Sequence, residues 1–162
     1  MILPLLLALA LPQHAGHAPA PKAAAAAHAA HADEAAVLKV IDAMFTALAT
    51  KNAAGIEAAT WPEGRATGTF VTDAGVHRAS TSDWATFAKR IAAIPGSPAE
   101  RNIDPHVHVD GDIAMVWTPY VFELDGKVAH CGTNHFDLIR REGEWRVLNV
   151  TWTQRKTGCP AR

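Results

Sequence analysis

The chain is poor in cysteine and has no cluster of basic residues. Its 162 residues contain only two cysteines, Cys131 and Cys159, and their spacing matches no zinc-binding motif. Lysine and arginine number 15 against 16 acidic residues, so the net charge is −1. A nucleic-acid-binding protein presents a basic face. We therefore expect no nucleic-acid partner.

The sequence also lacks an apolar run long enough to span a membrane as a helix. The run at 1–12, MILPLLLALALP, is shorter than the roughly 20 residues that such a helix needs. It has the length of a signal-peptide apolar region, and small residues follow at 15–20, although no lysine or arginine precedes it. We predict a signal peptide at 1–20 and a periplasmic or secreted protein with no stable membrane span. The alternatives are a disordered apolar tail and a start codon assigned too early.

Low complexity follows the apolar run. Residues 13–35 are largely alanine, histidine and proline, a composition that cannot build a core. We predict an Ala/His/Pro-rich linker at 21–34 and a single domain at 35–159. His28 and His31 could share a helical face and bind a metal loosely, or simply belong to a composition-biased segment.

Helical patterns begin the domain and strand patterns end it. Apolar residues recur every three or four positions through 37–48, which predicts an amphipathic helix. A short helix at 53–59, a hairpin at 65–79 and a third helix through 84–91 follow. From Arg101 onward, turn signals separate successive strands. This order predicts an α+β fold whose helices cover one face of an antiparallel sheet.

Two turn signals set the register of the last three strands. Asp125-Gly126 and Glu142-Gly143 favour two-residue hairpins, and alternation then sorts the side chains by face. The predicted pocket face carries Ile113, Met115, Trp117, His130, Asn134, Phe136, Leu138, Trp145, Val147, Asn149, Thr151, Thr153 and Arg155. The opposite face carries Ala114, Val116, Tyr120, Phe122, Leu124, His135, Asp137, Ile139, Leu148, Val150 and Trp152, and suits a second subunit or the linker. A bulge at Pro119 would exchange the two faces beyond it.

Two long segments carry a family resemblance, VLKVIDAMFTALATKNAAGIEAATWPEG at 37–64 and the stretch from 110 to 159. The most particular pieces are H-C-G-x-N-x-F at His130–Phe136, G-x-W at Gly143–Trp145, and Thr153 with Arg155 before the final cysteine. They resemble the nuclear transport factor 2-like (NTF2-like) superfamily, which includes SnoaL-like polyketide cyclases, scytalone dehydratase and ketosteroid isomerase. The nearer resemblance is to its bacterial branch labelled "putative lumazine-binding". It implies a cone, in which a curved antiparallel sheet wraps amino-terminal helices around an internal pocket.

The resemblance and the predicted face select the same wall. The predicted ligand-binding residues are Trp117, His130, Asn134, Phe136, Asn149, Thr151, Thr153 and Arg155. His130 is the candidate catalytic base, or else a hydrogen-bonded residue that orients a ligand or the strand. Arg155 could hold a carboxylate or phosphate, or form a salt bridge with Glu123 or Asp104. The asparagines and threonines could equally be cross-strand pairs.

Three further groups each have two interpretations. Polar residues occupy every second position from 104 to 110, namely Asp104, His106, His108 and Asp110. They could be ligands of one metal ion or the polar residues of an edge strand. Trp61, Trp84 and Trp117 could stack a planar ligand or pack in the core. In an exported protein, Cys131 and Cys159 could form a disulfide; in the cytosol they would stay reduced.

We therefore expect an exported NTF2-like protein that binds a small, partly planar or carboxylated organic molecule, as a homodimer and without metal or cofactor. One alternative is a cofactor-free SnoaL-like lyase or isomerase, with His130 as base and Asn134 or Arg155 polarising the substrate. Another is a non-catalytic dimerisation or accessory module whose cone is filled by its own side chains, because the same fold serves all three roles.

Overall fold

The computed structural model describes residues 21–72 and 74–160, so the predicted signal peptide at 1–20 lies outside the described residues. Helices and strands follow in the order that the sequence predicts. They are α1 (Pro21–Ala49), α2 (Ala53–Ala58), β1 (Thr60–Val71), β2 (His77–Asp83), α3 (Trp84–Ala92), β3 (Pro98–Asn102), β4 (His106–Asp110), β5 (Ile113–Leu124), β6 (Lys127–Arg141) and β7 (Glu144–Gln154).

Helix α1 is longer than the sequence pattern predicts. Residues 21–34, predicted as a linker, form its first part. Alanine has the highest helix propensity of all residues, so a segment rich in alanine can be helical without a core to pack against. The predicted apolar stripe is buried: Val37, Ile41, Met44 and Leu48 are each at most 3% exposed. The carboxyl-terminal half of α1 therefore packs on the sheet.

Side-chain caps begin the two shorter helices. Asn52 caps α2 by accepting a hydrogen bond from the Gly55 backbone N–H. Helix α3 is capped by Asp83, whose carboxylate accepts from the Thr86 N–H at 2.7 Å. Ser80, Thr81 and Ser82 belong to β2, which β1 holds in register as far as Asp83.

The seven strands form one curved, unclosed sheet in the order β2-β1-β7-β6-β5-β3, with β4 also paired to β5. Neighbouring strands are antiparallel except β1 and β7, which are parallel. The face that covers the helices, here called the concave face, forms the core with α1 and α3. Its buried sheet residues include Ala114, Val116, Tyr120, Phe136, Leu138, Trp145, Val147 and Val150. The predicted α+β cone is confirmed.

The turn between β5 and β6 is as predicted, but the strands do not stay in that register. Leu124 pairs with Lys127, and the positive φ angles of Asp125 and Gly126 match a type I′ turn. Phe122 then pairs with His130, because β6 contains one extra residue just before it. The predicted register placed the later residues of β6 on one face with Ile113, Met115 and Trp117. Because of this bulge, they instead share a face with the alternate β5 residues, such as Val116 and Tyr120.

A second bulge lies between β6 and β7. Arg141 pairs with Glu144 as predicted, and Leu138 pairs with Val147. The next step pairs Asp137 with Asn149, so β7 also contains an extra residue. Pro119, the predicted site of a bulge, keeps regular pairing. The two predicted faces were therefore mixed, because turn residues determine the register only up to the first bulge.

The segment after β7 is held against β6. Arg155 and Cys131 exchange two backbone hydrogen bonds of 2.9 Å, and the structure joins Cys131 to Cys159 in a disulfide. This connection keeps the chain end beside the amino-terminal part of β6, where His130 lies.

Candidate functional site

A cavity of about 150 Å³ lies between the concave face and helices α1 and α3. Most of its wall is apolar. The apolar lining residues are Met44, Phe45, Leu48, Phe87, Ile91, Ile94, Phe122, Phe136, Val150 and Trp152. Four polar side chains, Glu100, Tyr120, His130 and Asn134, lie on the β3–β5–β6 part of the wall, and Gln154 lies at the end of β7. The described side chains therefore do not fill the cone.

Glu100 and Asn134 form a polar pair in which Asn134 is buried and Glu100 is half-buried. The Asn134 side-chain amide donates to the Glu100 carboxyl oxygen at 2.8 Å, and Asn134 is 2% exposed. Burial raises the pKa of Glu100 to about 7, although the bond from Asn134 opposes the shift. The cause is the loss of hydration, because water stabilises the charged carboxylate of an exposed glutamate. The carboxyl group can therefore gain or lose a proton near neutral pH.

Tyr120 and His130 form a second pair. The Tyr120 hydroxyl lies 3.1 Å from His130 Nδ1 and donates to the Thr153 backbone carbonyl at 3.0 Å. A carbonyl oxygen only accepts, so the single phenolic proton is directed to Thr153. His130 must then carry its own proton on Nδ1 and donate to the Tyr120 oxygen. Its Nε2 atom keeps a lone pair that can accept a hydrogen bond.

The environment keeps both members of this pair uncharged. Burial lowers the pKa of His130 to about 4, and the Phe122 ring stacks on the imidazole with the ring centres 4.6 Å apart. Burial and the negative charge of Glu100 raise the pKa of Tyr120 above its usual range, while Arg155 partly opposes this. At neutral pH the two rings thus offer neutral donors and acceptors.

Strand pairing explains why these groups meet. Glu100 pairs with Phe122 across β3 and β5, and Phe122 pairs with His130 across β5 and β6. Directly paired residues share a face, so Glu100, Phe122 and His130 form one row across three strands of the concave face. The β6 bulge is what places His130 in this row.

Only part of the predicted site lines the cavity. His130, Asn134 and Phe136 do. The predicted wall residues that lie outside it are Trp117, Asn149, Thr151, Thr153 and Arg155. Two bulges explain this correction. The bulge in β6 places Trp117 of β5 on the opposite face from His130, Asn134 and Phe136. The bulge in β7 likewise moves the residues from Asn149 onward to the other face.

The displaced residues have other surroundings. Trp117 is 52% exposed on the convex face of the sheet, beside His135. The Asn149 side chain accepts from the Arg65 N–H, and the Thr153 hydroxyl accepts from the Thr133 N–H. These two contacts stabilise strand pairing, which was the alternative interpretation for the asparagines and threonines.

Two important groups were missed by the sequence interpretation. The predicted register places Tyr120 on the face opposite the pocket, and no sequence pattern indicates Glu100. Tyr120 is the only tyrosine of the chain, and Glu100 occupies the middle of the five-residue strand β3. A strand that short gives too little alternation to assign a face from sequence.

The other two candidate tryptophans also lie away from the cavity wall. Trp84 is buried, and the Trp61 ring contacts the guanidinium groups of Arg141 and Arg146. Neither lines the cavity, whereas Trp152 does. In the described part of the chain, no three His, Cys, Asp or Glu side chains are grouped as metal ligands.

In the same residues, no helix is long and apolar enough to cross a membrane.

Comparison with solved structures identifies the fold. An NTF2-like protein with a cystatin-like fold from Novosphingobium aromaticivorans superposes with a TM-score of 0.67 at 15% identity, covering 89% of this chain and 95% of that one. A Nostoc punctiforme protein of unknown function with a cystatin-like fold gives 0.62 at 9% identity, covering 77% and 92%. An NTF2-like protein of unknown function from Pseudomonas putida gives 0.60 at 16% identity, covering 76% and 87%. These similarities concern the fold alone.

Comparison with family models is more specific. No curated protein matches the chain. The model of the family described as "putative lumazine-binding" matches residues 32–153, which contain every residue of the two polar pairs. The chain therefore belongs to the "putative lumazine-binding" family, within the NTF2-like superfamily.

Proposed function

We propose that the protein binds a small organic molecule whose buried part is an uncharged group about the size of one ring. The observation that carries this proposal is the cavity itself, which has an apolar wall and one polar side formed by Glu100, Tyr120, His130 and Asn134. Ligand sites commonly combine apolar walls with a few fixed polar groups. A cavity of about 150 Å³ is large enough to hold benzene. The family description agrees with small-molecule binding.

A screen of uncharged one-ring compounds tests this proposal. The screen would measure shifts in the unfolding temperature for compounds that carry both a hydrogen-bond donor and an acceptor. Ile94 lines the cavity and is only half-buried, so Ile94→Trp should block the space while the protein still folds. Val76, 40% exposed just before β2 and not among the residues that line the cavity, provides the matched control Val76→Trp.

Binding to the wild type and to Val76→Trp, together with loss in Ile94→Trp, is the expected result. Equal binding to Ile94→Trp would place the compounds elsewhere and contradict the proposal. So would a screen in which no compound raises the unfolding temperature of the wild type.

The second candidate function is cofactor-free proton transfer, as in a lyase or isomerase. A specific observation favours it: Glu100 has a pKa of about 7, and His130 has the phenolic neighbour Tyr120. A general base works best when its pKa is near the working pH. Glu100 is therefore the better base, because the pKa of His130, about 4, makes the imidazole a weak one. The second amide hydrogen of Asn134 could polarise a carbonyl group.

Deuterium exchange tests this second function. A bound carbonyl compound would be incubated with the protein in D₂O, and uptake of deuterium at the carbon next to the carbonyl followed by NMR. Exchange that requires the wild type and is lost in Glu100→Gln would support catalysis. Binding without any exchange would indicate that the protein binds the compound but does not catalyse proton transfer.

Export is proposed from the apolar run at 1–12 and from the disulfide between Cys131 and Cys159, which suits an oxidising compartment. The mature protein should then begin after residue 20. Mass spectrometry of the protein from a periplasmic or culture fraction would measure this. An intact amino terminus in the cytoplasmic fraction would contradict it.

A homodimer is proposed through the convex face, where Ile113 and Trp117 are 61% and 52% exposed. A two-fold contact buries the same patch on both copies, so one apolar patch is sufficient. Analytical ultracentrifugation should give a dimer for the wild type and a monomer for Trp117→Glu. A wild-type monomer at high concentration would contradict the proposal.

A further inference from the structure

The wall of the cavity continues onto the β1–β2 arm of the sheet. Gln154 lines the cavity and also two open grooves at the ends of β1 and β7. Phe70 pairs with Gln154 across β1 and β7, and with Arg78 across β1 and β2. Paired residues share a face, so Arg78, Phe70 and Gln154 form a row that leads from the sheet edge to the cavity.

This row joins an apolar surface to positive charge. Phe70 and its neighbour Val71 are 37% and 52% exposed. Arg78, Arg155 and Lys156 line the same grooves, and none of the described residues that line either groove is acidic. The grooves therefore suit a negatively charged group.

The cavity has the opposite character. Among the described lining residues none is positively charged at neutral pH, because the pKa of His130 is lowered to about 4. Glu100 supplies partial negative charge at neutral pH. An anion inside the cavity would be desolvated without a cationic partner, which is unfavourable. A ligand that has an anionic group must therefore keep that group outside, beyond Gln154.

We propose that the row Arg78–Phe70–Gln154 is the second part of the ligand site, and that the ligand carries a carboxylate or phosphate group joined to its buried uncharged ring. Gln154 and Arg78 are two strand spacings apart, roughly 10 Å, and an extended arginine side chain spans more than half of that distance. A linker of a few atoms is therefore sufficient. Phe70 packs against this linker. The inference rests on the proposed binding function and specifies its ligand class.

Three probes with the same ring and different end groups test the inference. They are 3-phenylpropanamide, 3-phenylpropanoate and 2-phenylethyl phosphate, and their dissociation constants would be measured by isothermal titration calorimetry at neutral pH and low ionic strength. At least one anion should bind about fivefold more tightly than the amide, which corresponds to an exposed ion pair of about 1 kcal/mol. Which anion has the advantage identifies the end group. Added salt should reduce that advantage.

Variants identify the cation responsible. Arg78→Gln should remove the advantage of the anion without changing the affinity for the amide. Arg101→Gln is the matched control, because Arg101 is an exposed arginine on β3, at the opposite edge of the sheet. It should leave all three affinities unchanged.

The two proposals fail in different ways. If the amide binds as tightly as both anions, or if Arg78→Gln keeps the advantage, the anionic subsite is wrong and the cavity proposal stands. If no probe binds the wild type, the cavity proposal and the subsite fail together.

Discussion

His130 has one proton at neutral pH, and its hydrogen bonds determine which nitrogen carries it. Tyr120 gives its only proton to the Thr153 carbonyl, so the imidazole must donate from Nδ1. We expect long-range ¹⁵N–¹H NMR spectra to show the Nδ1–H tautomer, with no protonation of Nε2 at pH 6, because the pKa is near 4. An Nε2–H tautomer, or a positively charged ring at pH 6, would contradict the proposed arrangement.

Glu100 should make stability depend on pH. Its pKa rises from 4.5 to about 7 on folding, so the folded protein holds this proton more tightly than the unfolded chain. The resulting stabilisation is complete below pH 4.5 and is lost as the pH rises through about 7. Glu100→Gln should therefore become more stable relative to the wild type over this range, by up to about 3 kcal/mol.

Denaturant unfolding of both proteins at several pH values would measure this difference. His130 contributes with the opposite sign, because its lowered pKa gives stability that is lost as the pH falls toward 4. Comparing the two proteins removes this contribution, since both contain His130. A free-energy difference that does not change with pH would show that Glu100 is not desolvated.

At the scale of elements, the turns were predictable and the bulges were not. Gly126 and Gly143 indicate the two hairpins, because glycine tolerates the positive φ that both turns adopt. No residue type indicates the extra residues in β6 and β7, since a bulge depends on how the whole sheet curves. His130 was therefore assigned to the correct wall, while Thr151, Thr153 and Arg155 were not.

The disulfide stabilises the element that carries His130. Cys131 and Cys159 are separated by 28 residues, and a closed loop of this length restricts the unfolded chain by about 3 to 4 kcal/mol. The double variant Cys131→Ala/Cys159→Ala should lose about that much unfolding free energy. A reducing agent should destabilise the wild type similarly and leave the variant unchanged. Equal stability of the variant and the oxidised wild type would contradict this expectation.

At the scale of the whole molecule, the family and the fold class could be predicted from particular segments. The periodic stripe from Val37 to Leu48 and the H-C-G-x-N-x-F run indicated a cone around an internal pocket. The chemistry of that pocket could not be predicted, because it depends on Glu100 in a short strand and on Tyr120, which is paired across the β6 bulge. Its polar groups come from three strands that only the folded sheet brings together.

The central claim is that the cavity of this cone holds a small molecule in the cell. Native mass spectrometry of the protein purified from its own host tests it most directly. We expect the wild type and Val76→Trp to carry an additional mass that corresponds to one small molecule, and Ile94→Trp to lack it. A wild type without the additional mass, or the same mass retained by Ile94→Trp, would contradict the account.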